Sequence, residues 1–433
     1  MIAALTRLST FSAFRHRNYR LFWTGMLGSQ VGTWMQSTAQ SYLVWELTQS
    51  ALATSLVTLF FSFPSTALSL VGGVVADRMD RRRLILVTQT VFLLQAVVLT
   101  VLTFAGRIRI WEIYALALMN GTVMAFDSPG RQSMLPSLVP REDLSNAVAL
   151  NSTVFNASRV VGPPLAGLVY AAVGPGWCFA LNAVSFLAIL YPLWIMRLTR
   201  APTGIVRTHL WDDLREGLAY VRRHQVVRTL LTLVALAGSL AFVYIVLMPV
   251  LASKVLGGGP AENGYLLGAA GVGATVGALG VATLRAAQPG RFIFGFGYAA
   301  SAALVALAFS RHLLLSMVLT ATVAGCVMAV LATCNATIQG YVTDSLRGRI
   351  MSIYTLALIG SGPLNAAIAG TLGNWLGADR AIGISGLVLG LSIGIVASRN
   401  RAVVALDMAA AARAVPTHDY GAGDRAAAES TED

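Results

Sequence analysis

Six charged residues crowd seven positions, Asp77, Arg78, Asp80, Arg81, Arg82 and Arg83, between two long apolar runs. Carboxylates interleaved with guanidiniums make ion pairs, so this group is suited to holding elements together and releasing them. Asp127 and Arg131 form a second such group, four residues apart around Pro129. Arg159 stands alone in apolar sequence, with Ser152 and Asn156 on its helical face. Gln30, Thr33, Ser37, Gln40 and Ser41 fall within an arc of about 100° when wound as a helix, with Trp34 beside them. No nucleophile–base or metal-ligand spacing occurs. The five histidines (His16, His209, His224, His312, His418) lie outside the apolar runs, and Cys178, Cys326 and Cys334 show no C-x-x-C spacing. There is no G-x-x-x-x-G-K-[ST] loop, and Lys254 is the single lysine. Catalysis, ATP-driven pumping by this chain, a metal and a cofactor are therefore not expected.

The elements that must position these residues are membrane helices. Of 433 residues, 56% are hydrophobic and only 12% charged, about half the charged fraction of a soluble protein. Runs long enough to span fall near 19–46, 51–76, 84–105, 111–128, 145–172 and 177–196. Six more fall near 227–252, 261–284, 291–310, 313–338, 348–372 and 381–398. The expectation is an all-α polytopic membrane protein with twelve transmembrane helices in two six-helix sets. No removable signal peptide is expected at the N-terminus. With both termini cytoplasmic, the inner segments hold all but six of the 31 basic residues. Five of those six (Arg107, Arg109, Lys254, Arg311, Arg380) fall outside, and Arg159 falls within a span. That asymmetry is the positive-inside pattern, so the net charge of +12 reads as topology and not as a nucleic-acid surface.

The stretch Gly73-Val74-Val75-Ala76-Asp77-Arg78-Met79-Asp80-Arg81-Arg82 resembles the G-x-L-A-D-R-x-G-R-[RK] loop of the major facilitator superfamily, between its second and third helices. Val75 replaces leucine and Asp80 replaces glycine; Asp suits a turn and can cap the following helix. Phe126-Asp127-Ser128-Pro129-Gly130-Arg131 is similar to that superfamily's acid-x-P-x-R element. The stretch from Asp127 to Gly167 is similar to the branch of the enterobactin exporter and the transmembrane secretion effectors. The resemblance implies the major facilitator fold, with two parallel six-helix repeats. Gly162-Pro163-Pro164-Leu165-Ala166-Gly167 and Gly362-Pro363-Leu364 echo each other 200 residues apart, in keeping with such a repeat. It also implies a gating network at one membrane face, Asp77, Arg78, Arg81, Arg82, Asp127 and Arg131. The alternative is salt bridges that anchor loops.

By the same resemblance, helices one, four, seven and ten line a central cavity. Its candidate residues are Gln30, Thr33, Trp34, Ser37, Gln40, Asn120, Asn156, Arg159, Tyr244, Cys326 and Thr333. Polar side chains avoid lipid; helix–helix hydrogen bonding is the alternative, common for Ser and Thr. A mid-membrane arginine costs about 2.5–3.5 kcal/mol unless compensated. Arg159 thus faces an anionic substrate, cavity water or helix-end carbonyls. Gly162, Pro163 and Gly167 resemble the helix-break element of the superfamily's antiporters.

The expected organisation is a cytoplasmic N-terminus (1–18), an N-terminal bundle (19–196), a linker with an amphipathic helix (197–226), a C-terminal bundle (227–398) and a partly disordered cytoplasmic tail (399–433). In the linker, Leu210, Trp211, Leu214, Leu218 and Val221 recur at helical spacing opposite charges. The functional expectation is a monomeric transporter in the plasma membrane. It exports a small organic molecule, siderophore-like or an amphipathic drug, by alternating access, with protons as the coupling ion. An importer on the same fold and a non-transporting scaffold or receptor are the alternatives.

Overall fold

A computed structural model describes residues 9–196, 210–284 and 288–405, with side-chain placement undefined at a few of them, Asp77 included. Twelve long helical segments follow one another in this region. They are α1 (Arg17–Thr48), α2 (Ala51–Ala67 and Ser69–Arg78), α3 (Arg81–Phe104), α4 (Ile110–Met134), α5 (Leu144–Val173) and α6 (Pro175–Ile195). After the linker helix, Leu210–Arg223, come α7 (Gln225–Val255), α8 (Pro260–Leu284), α9 (Pro289–Phe309), α10 (Leu313–Tyr341), α11 (Asp344–Ile359 and Ser361–Leu376) and α12 (Ala378–Arg399). Eight of the twelve are long and apolar enough to cross a membrane. The other four, α1, α2, α4 and α5, fall short because α2 divides at Leu68 and the rest spend positions on polar side chains. No strand occurs among the described residues.

The hydrophobic arrangement is that of a protein dissolved in lipid. Large apolar side chains such as Val98, Val101, Val184, Leu391 and Ile395 are exposed along the helices. Trp111, Trp177, Phe309 and Trp375 are exposed near helix ends at one side of the bundle, and Tyr191 and Trp194 at the other. Aromatic side chains at both ends of the helices are what the two membrane–water interfaces select.

Short turns alternate between the two ends. One end, the basic end, carries the turns at 79–80, 135–143 and 342–343 and the linker; the other carries 49–50, 105–109, 174, 256–259, 310–312 and 377. At the basic end Asp80 accepts from the Arg83 amide at 2.9 Å and so caps α3, as its side chain suits it to do. The N-terminal segment docks on the start of α5. His16 Nε2 meets Asp143 Oδ2 at 2.7 Å, Tyr19 donates to the Ala147 carbonyl at 2.9 Å and Trp23 to that of Leu150 at 3.0 Å.

The first six helices pack together as one half and the last six as the other. They meet along α5 against α8 and α2 against α11. At Gly264 and Gly271 of α8 an added Cβ would lie 2.5 Å from the Pro163 carbonyl and 2.7 Å from that of Arg159. Only glycine allows α8 this close to α5. The linker helix lies on α11, with Glu216 2.6 Å from Arg349 and Gly217 against Ile353.

Candidate functional site

Asp127 has no solvent exposure, seven residues before the end of α4. Thr88 Oγ1 donates to its Oδ1 at 2.7 Å and Gln89 Nε2 to the same oxygen at 2.8 Å. Its Oδ2 forms an ion pair with Arg131 Nε at 2.8 Å, and Arg131 Nη1 donates onward to Gln30 Oε1 at 3.0 Å. The network therefore ties α1, α3 and α4. A buried carboxylate needs such company, since an unpaired charge there would be far costlier than an unpaired amide. Its partners lie one helical turn away on α4, or on helices of the same half.

This differs from a network at the membrane face. Neither Arg78 nor Arg81 is among the partners of Asp127. Arg78 is exposed and Arg81 half-buried. Arg82 donates through Nε to the Leu193 carbonyl and through Nη2 to that of Trp194, both at 2.6 Å. It caps the last turn of α6, where carbonyls lack intrahelical donors and the helix dipole favours a cation. The side chain of Asp77 lies outside the described residues. Gln30, a cavity candidate by its pattern, accepts from Arg131.

The remaining cavity candidates divide by contact. Thr33 and Thr333 donate to carbonyls four residues earlier in their own helices, Ser29 at 2.8 Å and Ala329 at 2.7 Å, and Asn156 does the same to Ser152 at 2.9 Å. Such bonds satisfy the side chain locally. Gln40 and Cys326 are buried, Asn120 is half-buried, and Ser37 is exposed. Trp34 packs edge-on against Phe155, with ring centroids 5.9 Å apart, and the Arg159 guanidinium lies over it at 5.9 Å. Tyr244 is fully buried on α7 between two wide π-helical turns, Ala237–Ala241 and Leu251–Val255. Such turns recur at functional sites; here Asn365 of α11 donates to the Ser239 carbonyl at 3.2 Å. Gly162 lies against Trp34 of α1, Pro163 against Gly264, and Gly167 against Pro260. The helix-break element thus sits where α5 meets both α1 and α8.

Contacts crossing the halves begin at the end opposite the basic loops. Tyr42 and Ser253 share a hydrogen bond of 3.1 Å, Ser50 and Asn374 one of 3.3 Å, and Lys254 Nζ lies 5.8 Å from the Trp45 ring centroid. A groove of about 410 Å³ at that end is lined by Trp45, Lys254, Arg311, Asn374 and Asp379, among others. The crossing contacts continue down to the bond from Thr66 to the Ile359 carbonyl, 3.2 Å, and to the contact of Gly271 with Arg159, about halfway along the helices.

Several polar partners escaped the sequence pattern. Gln36 donates to Gln95 at 2.9 Å and accepts from Asn182 at 2.7 Å, joining α1, α3 and α6 inside one half. Tyr170 donates to Glu46 and stacks edge-on with Tyr42, centroids 5.3 Å apart. Each is answered from another helix, and only those partners reveal what it does.

The chain matches the family described as transmembrane secretion effector, of the major facilitator type, over residues 8–419. It is 28% identical over 382 residues to the multidrug efflux pump Tap of Mycolicibacterium fortuitum, covering 85% of this chain and 90% of that one. It is 26% identical over 368 residues to the staphyloferrin A transporter of Staphylococcus aureus, covering 82% and 90%. Among solved structures it resembles the nucleoside transporter NupG, with a TM-score of 0.70, 11% identity and coverage of 87% and 98%. It also resembles a bacterial homologue of the human lysosomal transporter Spinster, with a TM-score of 0.64, 14% identity and coverage of 92% and 97%.

Proposed function

We propose, on the premise that this chain belongs to the transmembrane secretion effector family of major facilitator transporters, that it exports a small organic molecule across the plasma membrane by alternating access. The observation that carries this reading is the distribution of contacts between the halves. They begin at the end opposite the basic loops and run to mid-helix, as in a transporter closed at one face with its cavity reached from the other. The basic asymmetry supports a closed face outside and both termini in the cytoplasm, with substrate entering from the cytoplasm. Rocking of the halves about the α5–α8 and α2–α11 contacts would then open the outer face.

A siderophore-like compound or an amphipathic drug is the proposed cargo. The names of the relatives, a multidrug efflux pump and a staphyloferrin A transporter, support that class. Proton antiport is the proposed energy source and a monomer the proposed working unit. Flux into vesicles tests the reading, with rhodamine 123 and 5-carboxyfluorescein as probes. Accumulation of either dye in inside-out vesicles, driven by an inward-acid pH gradient and absent from vesicles lacking the protein, is expected. Accumulation only in right-side-out vesicles would make it an importer, and no flux in either would make it a scaffold or receptor.

A further inference from the structure

The groove at the end opposite the basic loops holds about 410 Å³, within the ~300–1,000 Å³ typical of small-molecule sites. Both halves line it. Trp45 and Gln49 come from the first half, and Lys254, Arg311, Asn374 and Asp379 from the second. Trp45 is buried, whereas Gln49, Lys254, Arg311 and Asn374 are exposed and within reach of a ligand.

The charges of the groove do not balance. Arg311 Nη2 meets Asp379 Oδ2 at 3.0 Å, so these two neutralise each other. Lys254, the chain's single lysine, is left over, and no carboxylate lies within ion-pair distance of it among the described residues. Its ammonium stands 5.8 Å from the Trp45 ring centroid, a contact that places the charge while leaving N–H donors for another partner. The two amides complement it. Asn374 Oδ1 accepts from Ser50 at 3.3 Å, which leaves the N–H donors of Asn374 unengaged among the described residues. Gln49 Nε2 donates to the Trp45 carbonyl at 3.3 Å, which leaves the Gln49 side-chain oxygen as an acceptor. The second half thus brings a cation and a neutral donor to the groove, and the first half an acceptor.

We infer that this groove binds a small hydroxylated organic anion from the outer side, its oxyanion on Lys254 and Asn374 and a hydroxyl on Gln49. The charge-assisted bond to Lys254 is the strongest of these contacts. A bound anion touches both halves and adds to the Tyr42–Ser253 and Ser50–Asn374 bonds that cross between them. A ligand that binds only while the halves are together shifts the population toward closure at this end. That closing effect rests on the alternating-access reading above, and the binding itself does not. Soluble hydroxy acids and the headgroup of phosphatidylglycerol offer the same chemistry.

Calorimetric titration of D-gluconate into purified protein in phosphatidylcholine nanodiscs tests the binding. D-Sorbitol, which carries the hydroxyls without the carboxylate, is the neutral control. Wild-type protein is expected to bind gluconate at least tenfold more tightly than sorbitol. Lys254→Gln should weaken gluconate at least tenfold with an unchanged melting temperature, and Lys254→Arg should retain most of the affinity. Asn374→Ala should weaken it several-fold. The inference is overturned if wild type fails to bind gluconate, binds sorbitol as well, or binds no better than Lys254→Gln. Loss of gluconate binding in phosphatidylglycerol discs assigns the same anion site to lipid headgroups, and unchanged binding assigns it to the soluble acid. In a cysteine-free background, gluconate should speed disulfide formation between Tyr42→Cys and Ser253→Cys at least twofold. Binding without that acceleration would overturn the closing effect. Binding with acceleration but no flux of either dye would sink the transport reading and leave the site standing.

Discussion

Arg131 Nε lies 2.8 Å from Asp127 Oδ2, one turn along the same helix, and the carboxylate has no solvent exposure. The pair lies within one half of the molecule. Thr88 and Gln89 reach it from α3 and Gln30 from α1. It therefore welds three helices into one body, and a rigid half is what a rocking transporter needs.

Breaking this pair from one side should be worse than removing it whole. Arg131→Gln leaves a buried carboxylate with two neutral donors, at a cost of about 3–5 kcal/mol. Adding Asp127→Asn to that variant should recover a large part of the loss, because the orphaned charge goes too. Thermal unfolding of the two single variants and the double variant measures the coupling. Additive losses would show that the two groups do not act as a pair.

Arg82 separates anchoring from gating. Arg82→Gln frees the carbonyls of Leu193 and Trp194 and should lower stability by about 1–3 kcal/mol. Dye flux per folded molecule should stay near wild type. A collapse of flux with unchanged melting temperature would return Arg82 to the gating network.

The bond between Tyr42 and Ser253 closes the halves at the end opposite the basic loops. Ser253→Ala removes one net hydrogen bond, about 0.5–1.5 kcal/mol, and should shift the population toward opening there by about twofold to tenfold. The rate of disulfide formation between Ser50→Cys and Asn374→Cys, whose native oxygens lie 3.3 Å apart, reports that opening. An unchanged rate would show that this bond does not bias the equilibrium.

Docking of the N-terminal segment should depend on pH through Asp143. Hydrogen bonds from Ser12 and then His16 hold its carboxyl below the usual carboxylate range. With the folded value depressed, the stabilisation is complete above the ordinary carboxylate value. It is lost as pH falls through the lower, folded one. Amide protection at Phe11 to His16, followed by hydrogen exchange, should fall across that acid window and become insensitive to it in Asp143→Asn. Acid sensitivity that persists in the variant would assign the effect elsewhere.

Orientation is open to a direct check. In a background lacking Cys178, Cys326 and Cys334, all buried, Arg107→Cys should react with an impermeant thiol reagent added outside. Met79→Cys, exposed at the basic end, should react only after permeabilisation. Labelling of position 79 from outside would invert the topology.

The sequence by itself determined where the long apolar helices run and turn, and which family the chain joins. Apolar runs of spanning length, charged loops and the Gly73–Arg82 motif are local in the chain, and their consequence in lipid does not depend on distant partners. The cap at Asp80 is legible for the same reason, because its acceptor and its target are three residues apart. Tertiary structure alone decided what the polar side chains do. Gln30 and Gln36 look alike in sequence, yet one answers Arg131 and the other Gln95 and Asn182, because each faces a different neighbouring helix. The bonds from Arg82 to the Leu193 and Trp194 carbonyls depend on where α6 ends, far along the chain. The close approach of Gly271 to Arg159 joins α8 to α5 across the two halves, and helical periodicity within one segment carries no information about a partner on another. In a bilayer, burial follows from composition, but satisfaction of a buried polar group follows only from packing.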